Sequence, residues 1–589
     1  MTLDGLTLHA VTQELNDRLH NAKIQKVLMP GKEELILQMY SAAEGTMRVV
    51  LSANAGECAV YITEHTKPNP KNAPVFCMFL RKHLVGAVVR RVEQSGLDRV
   101  VTFHLESRDD LFRPVLLRLV IEVMGKYSNI ILTDEGGRIL DSIRRVSADM
   151  SRRRTVLPGI PYEPPPQHKQ DPLALSEAEI EHVLRASAAD GDPRADRLLI
   201  SSLDGVSAQT AEELLGRARI DRRPVSQLDA REWHALAAVV HDFYHSATKH
   251  PAPCVQLNDE SIPVFFSLVP YRAYPSQSRR SFSSANSMLD FFYTTRSELA
   301  RVAQARSSLQ RIVEKHLQKL SRRIRIYEES IQASANTHSM QKKAELITAN
   351  LYRLKKGMPE FTAQDFETGE EIHIQLDPSR TPSEMAQKMY RHVAKVKRGA
   401  EMSAEKLIDA REEEDFLLGV LLYTENASTL REIGEIKESL AEAGYMPTAR
   451  KNAKKNEDAD SVPFRFTSPS GYTIYVGRND RQNEQLTHRM ARKEDIWFHA
   501  QKTPGSHVIL ETRGASLDDI DDETIVFAAQ LAAKHSRAKG SGKTPVDYTQ
   551  RRNVKKPPRS RPGKVIYDDY FTVYVDASAP AQADDPKPR

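Results

Sequence analysis

Residues 309–331 read LQRIVEKHLQKLSRRIRIYEESI, with apolar side chains at Leu309, Val313, Leu317, Leu320, Ile324, Tyr327 and Ile331. Steps of three and four residues on an otherwise charged helix make the narrow seam of a coiled coil, not the broad face of a globular helix. The pattern returns at Met389, Val393, Val396, Ala400, Ser403, Leu407, Ala410, Glu414, Leu417 and Leu421. Two such helices in one chain predict an antiparallel coiled-coil arm over 285–445. The interruption at 341–382, with a short helix and a strand-like 372–376, reads as a small tip. An arm spans distance, so a large partner is expected; an intramolecular helical bundle is the alternative.

The chain on either side is of a different kind. From 1 to 170, helix signals (Leu8, Val11, Leu15, Leu19; then Phe76, Phe79, Leu80, Leu84) alternate with β-rich runs. The runs are 34–40, 48–52, 59–63, 88–93, 99–105, 115–124, 128–133 and 138–143. Turns at Gln94-Ser95-Gly96-Leu97-Asp98 and Glu135-Gly136-Gly137 join neighbours, so an N-terminal α+β domain with a mostly antiparallel sheet is expected. The prolines of 158–172 read as a linker. A helical domain over 173–280 follows. In it, Leu203-Asp204-Gly205-Val206-Ser207 between two helices resembles a helix-hairpin-helix unit, whose turn amides can hold a phosphate. After a polar linker at 452–460, a C-terminal α/β domain is expected over 461–576, with strands at 473–476 and 571–575 around a helix at 527–535. A disordered tail, 577–589, closes the chain.

Composition excludes more than it names. Hydrophobic residues make up 40% and charged residues 28%, a globular balance, and the net charge is only +5, so the distribution of charge matters more than its sum. Cys58, Cys77 and Cys254 contain no CxxC pair, which suits a reducing compartment. Neither a leader segment nor an apolar run of roughly 18 residues appears, so a cytoplasmic protein without membrane attachment is expected. Gly540-Ser541-Gly542-Lys543-Thr544 imitates a phosphate-binding loop, but Arg537 stands where its first glycine belongs. His488, His499 and His507 fit no metal spacing. With no nucleophile motif either, no catalytic residue, metal or cofactor is expected.

The basic residues point to nucleic acid. Between Arg537 and Lys564 ten Lys or Arg accompany one acid, Asp547. Such density attracts phosphates and releases counterions. Pro557, Pro558 and Pro562 keep the run extended, and Arg551, Arg552, Lys555 and Lys556 are its expected RNA-binding core. A second cluster is Arg144, Arg145, Arg152, Arg153 and Arg154. The adjacent Asp98 and Arg99 offer one acceptor beside a fork of donors, which suits reading base edges. A turn-capping Asp beside a surface Arg is the other reading.

Several motifs, in order, resemble the NFACT family, in its bacterial RqcH-type branch; such proteins are also known as fibronectin-binding proteins. They are Asp4-Gly5-Leu6, Gly96-Leu97-Asp98-Arg99 and the run from Glu122-Val123-Met124 to Asn129. Leu376-Asp377-Pro378 matches the family's middle region. Gly477-Arg478-Asn479, Gln482-Asn483, Asp495-Ile496-Trp497-Phe498-His499 and Pro504-Gly505-Ser506-His507 match its RNA-binding domain. The resemblance implies a non-enzymatic ribosome quality-control factor. It would bind large ribosomal subunits obstructed by peptidyl-tRNA, recruit alanyl-tRNA and direct template-free alanine tailing, helped by a small S4-like RNA-binding partner. It assigns tRNA binding to Asp98, Arg99, Glu122, Val123 and Met124. It assigns RNA binding to Gly477, Arg478, Asn479, Asn483, Asp495, Trp497, His499, Gly505, Ser506 and His507. Val123 replaces the family's Ile, a small loss of volume; Met385-Ala386-Gln387 stands for its Asn-Ala-Gln and the run Met389-Tyr390-Arg391-His392 is altered, so contacts of the arm near its tip are expected to differ. A distant likeness to formamidopyrimidine-type DNA glycosylases fails on Thr2 and Leu3, where proline and glutamate are needed. A surface adhesin and a general RNA-binding protein are the remaining alternatives.

Overall fold

The computed structural model describes residues 3–109, 111–151, 154–166, 168–189, 191–365, 367–447 and 462–577. The linker expected at 452–460, nearly all of the expected tail, Arg152 and Arg153 lie outside the described residues. The packing forms two compact units, Met1–Leu299 and Ala300–Arg589. No described helix is long and apolar enough to cross a membrane.

The first unit is built on a nine-stranded sheet, antiparallel at every pairing. Helix α1 (Gly5–Leu19) starts where Asp4 accepts the Thr7 amide at 2.7 Å, and buries Leu8, Val11, Leu15 and Leu19. Strands β1 (Lys23–Gly31), β2 (Glu34–Ser41), β3 (Gly45–Ser52) and β4 (Ala59–Thr63) make one half. After α2 (Val75–Leu84), the other half comprises β5 (Val88–Gln94), β6 (Val100–Arg108), β7 (Pro114–Glu122), β8 (Asn129–Asp134) and β9 (Ile139–Ser142). β1 and β5 join the halves. β1 escaped the sequence reading because a bulge between Ile24 and Lys26 breaks its two-residue period.

Helices α3 (Glu177–Ala188), α4 (Ala195–Ser202), α5 (Ala208–Ala218) and α6 (Ala230–Lys249) appear as expected. A small sheet of β10 (Cys254–Leu257), β11 (Pro263–Ser267) and β12 (Arg279–Ser281) was not expected. Its strands are too short to show a period. One apolar core runs through α1, the large sheet, α4–α6 and Phe292 of the next helix. The proline-rich segment does not act as a free spacer. Pro161 bridges to Arg138, Gln170 bridges to Leu203, and Tyr162 is tied to Glu122. Nor is the Gly205 turn an open phosphate site: it packs against Leu97 and the start of α1, and Asp204 is buried.

In the second unit the arm is an antiparallel pair. Helix α7 (Ala285–Ala335) is followed after one residue by α8 (Thr337–Ala349), and α9 (Pro382–Asn426) returns. Its direction follows from Arg306 bonding the Glu425 carbonyl, Arg411 pairing Glu328 at 2.6 Å and Lys397 reaching Gln341 at 2.8 Å. Leu309, Val313, Leu320, Ile324, Ala410 and Leu417 fill the seam, as the stripe predicts. At the tip, the hairpin β13 (Glu360–Gln364) and β14 (Glu371–Gln375) covers a small core. Met385 lies in that core and its sulfur accepts the Asp377 amide. Helix α10 (Leu430–Glu442) packs beside the foot of α9.

The C-terminal part has β15 (Phe464–Thr467), β16 (Thr473–Val476), α11 (Asp480–Gln485), β17 (Ile496–Ala500), β18 (Val508–Glu511), α12 (Asp522–Lys534), β19 (Lys543–Gln550), β20 (Val554–Lys555), β21 (Ile566–Tyr567) and β22 (Phe571–Asp576). Six of these strands form an antiparallel sheet in the order β15-β16-β18-β17-β19-β22, with α12 against one face. Lys543, in the imitation phosphate loop, opens strand β19 rather than a helix.

Candidate nucleic-acid interfaces

The β5–β6 hairpin sets Asp98 and Arg99 side by side at its exit. Gln94 Nε2 donates to the Asp98 carbonyl at 2.6 Å, and the Arg99 amide donates to Asp98 Oδ1 at 2.7 Å. The carboxylate therefore caps its own turn. Burial raises its pKa, with the Arg99 amide and charge opposing. The Arg99 guanidinium makes no hydrogen bond or ion pair with a described residue, which leaves its fork of donors available.

Behind the pair, β7 ends in Glu122, which is 2% exposed and held by Arg154 and by Tyr162 Oη at 2.9 Å. Burial raises the Glu122 carboxyl despite these partners. Val123 is buried as well, and its amide donates to the Arg99 carbonyl at 2.8 Å. Neither side chain faces solvent; the Val123 backbone amide braces the Arg99 carbonyl. Met124 is half-buried, and its amide is taken by Ser128 Oγ. What reaches solvent next to the pair is Lys126 and Tyr127, the latter 70% exposed with the Lys126 Nζ 4.9 Å above its ring. The sequence reading passed over these two, although a Lys-Tyr turn directly after a strand was a visible signal of exposure.

Three arginines of the second basic cluster are engaged by neighbouring acceptors. Arg144 bonds Glu33 and the Lys126 carbonyl, Arg145 pairs with Asp141, and Arg154 pairs with Glu122. These arginines brace the fold because acceptors lie within reach.

The C-terminal motif residues meet, but inside the unit. Gly477 has no room for a side chain: a Cβ there would lie 2.1 Å from Asn483 Oδ1. That oxygen instead accepts the His507 amide at 3.1 Å, while Asn483 Nδ2 donates to Tyr423 Oη at 3.0 Å. Tyr423, on α9, donates to the Gly505 carbonyl at 3.1 Å. Arg478 pairs with Glu432 and lies 4.2 Å above the Phe464 ring. Asn479 caps α11 and reaches Glu435 at 2.9 Å. Asp495 accepts the Arg492 and Thr512 amides. Trp497 is fully buried, its ring parallel to His499 and tilted against Tyr567. His507 bonds Thr487 Oγ1 at 2.7 Å, and burial among other histidines holds its pKa well below the usual range. Burial lowers His499 likewise. Ser506 is buried and its amide bonds the His535 carbonyl. The network joins the foot of the arm to the C-terminal sheet; most of its side chains are buried, while Arg478 and His499 are half-buried. Among the residues that the resemblance assigns to RNA, Gly477, Asn479, Asn483, Asp495, Trp497, Gly505, Ser506 and His507 are buried.

The solvent-facing basic residues are further along. Arg551 donates to the Thr487 carbonyl at 2.6 Å, whereas Arg552 is exposed. Lys555 pairs with Asp568 and Lys556 with Glu484. Between 557 and 564 the loop projects Arg559, Arg561 and Lys564.

The described residues thus comprise a long two-helix arm, a hairpin whose Arg99 has no ion pair among them, and a domain edged with lysine and arginine. The family model for the NFACT N-terminal and middle domains matches residues 4–459, and that for the NFACT protein RNA binding domain matches 462–569. The chain belongs to the NFACT family. It is 36% identical to "Rqc2 homolog RqcH" of Bacillus subtilis (strain 168), covering 98% of each chain. It is 24% identical to "Archaeal Rqc2 homolog aRqcH" of Methanocaldococcus jannaschii, covering 90% of this chain and 80% of that one. Among solved structures, the N-terminal part of the fibronectin/fibrinogen-binding protein from Streptococcus suis is similar at 29% identity and a TM-score of 0.41, over 50% of this chain and 99% of that one.

Proposed function

We propose that this protein is a ribosome quality-control factor of the RqcH kind. It binds large ribosomal subunits obstructed by peptidyl-tRNA, recruits alanyl-tRNA and directs template-free C-terminal alanine tailing in the cytoplasm. The end-to-end match to relatives named Rqc2 homolog RqcH carries this reading. Peptide-bond formation stays with the ribosome. Residues 1–170 take tRNA recognition and 173–280 form the helix-hairpin-helix module. The arm, 285–445, reaches across the subunit, and 461–576 binds RNA. An S4-like protein assists.

At the hairpin, Arg99 supplies the donors and Asp98 fixes the backbone from which they project. Glu122, Arg154 and Tyr162 hold the strand end behind them. Sedimentation tests the reading: the protein is expected with free large subunits in lysates where these are obstructed, and its absence there would refute it. Asp98→Ala with Arg99→Ala is expected to preserve that association while abolishing tRNA co-purification and alanine tails. Unchanged tails would remove both residues from the site.

A further inference from the structure

The loop 557–564 is basic and largely exposed, yet Lys564 and Arg561 are engaged by α9. Lys564 Nζ pairs with Glu412 of α9 at 2.7 Å. Arg561 lies 4.3 Å above the Phe416 ring, also on α9, and its charge reaches the Asp480 carboxyl. Upstream, Lys556 pairs with Glu484 at 2.8 Å, and the same carboxylate accepts the Gly563 amide at 3.2 Å. Asp415 adds a further carboxylate within electrostatic reach of Lys564. Arg559 projects from the loop with no ion pair or ring contact among the described residues. A proline-stiffened basic strand laid along carboxylates has the arrangement it would have along phosphates.

We propose that Glu412, Asp415 and Glu484 act as built-in competitors for RNA on this loop, and that RNA binds there by displacing them. The proposal rests on the RNA-binding reading above. A phosphate that displaces a carboxylate leaves that negative charge standing beside the RNA, which offsets the cation's neutralisation, so the masked loop binds more weakly and with a shallower salt dependence than its count of cations implies. Each pair is solvent-exposed and worth little, so displacement is easy and the loop stays usable.

The test uses the full chain and a fluorescein-labelled oligouridylate, with affinity measured by anisotropy over a range of salt concentrations. Glu412→Gln with Asp415→Asn is expected to tighten binding about two- to fivefold at low salt. It is also expected to steepen the plot of log K against log salt by about 0.7 for each cation released onto a single strand. Lys564→Gln is expected to weaken binding and to abolish the gain in the triple variant. Wild-type binding with slope and affinity unchanged by Glu412→Gln and Asp415→Asn overturns the masking while leaving RNA binding intact. No binding by the wild-type chain overturns both. A gain that persists in the presence of Lys564→Gln assigns the effect to general repulsion and overturns the proposal.

Discussion

Asp480→Asn should stabilise the protein at neutral pH. Asp480 opens α11 and hydrogen-bonds Tyr423, the α9 residue at the centre of the buried network. Burial raises its carboxyl from 3.8 to about 6, and neither Tyr423 nor the Arg561 charge undoes this. The folded state therefore holds this proton more tightly than the unfolded one. The stability it lends is full below pH 3.8 and is lost as pH rises to about 6. The whole shift is worth about 3 kcal/mol. An edge of the side chain still reaches the cleft beside Pro562, so solvent screens part of this and about 1–2 kcal/mol is the expected gain. Asn keeps an acceptor for the Tyr423 hydroxyl without a charge to bury. Urea denaturation of wild type and variant between pH 4 and 8 reads the effect. The two midpoints should converge toward pH 4 and separate above pH 6. A variant less stable at pH 7.5, or a difference independent of pH, would refute the claim that a buried charge is the cost.

Other expectations follow from the same geometry. Arg154→Ala leaves Glu122 buried without its cation and should cost about 3–5 kcal/mol in the first unit, read by denaturation; Glu122→Gln in that background should recover part of it. Gly477→Ala forces a methyl against Asn483 and should lower the urea midpoint by an amount worth about 1–3 kcal/mol with little change in slope. His535, pushed down to about 4 by burial with Lys534, Lys539 and Arg478 adding to it, lends stability that is present above 6.5 and lost as pH falls toward 4. His535→Phe should flatten that acid limb, and an unchanged limb would contradict the assignment.

The arm was legible because a seam has a period: Leu309, Val313, Leu320 and Ile324 announce themselves, and the structure buries them. Most of the large sheet was legible for the same reason, and β1 was not because its bulge shifts the period midway. The C-terminal network was harder. Asn483, Trp497 and His507 are the residue types that contact RNA, and chemistry alone does not say whether such a group faces outward. One sign was present: Ile496-Trp497-Phe498 is apolar on both faces of its strand, as expected where both faces are covered. Here α12 covers one face, and Leu486 and Val554 pack on the other. At the hairpin, the pairing of Asp98 and Arg99 was legible, but the burial of Glu122 depended on Arg154 and Tyr162, more than 30 residues away.

The antiparallel arm also constrains how such a molecule can change over generations. Its length is written twice, once on α7 and once on α9, in opposite directions. Losing seven residues from one helix alone leaves stripes of unequal length and a tip that no longer closes. Losing seven from each, at facing positions, keeps the seam in phase and shortens the reach by about 10 Å. The arm is thus a ruler graduated in paired heptads, adjustable only by insertions or deletions that arrive together.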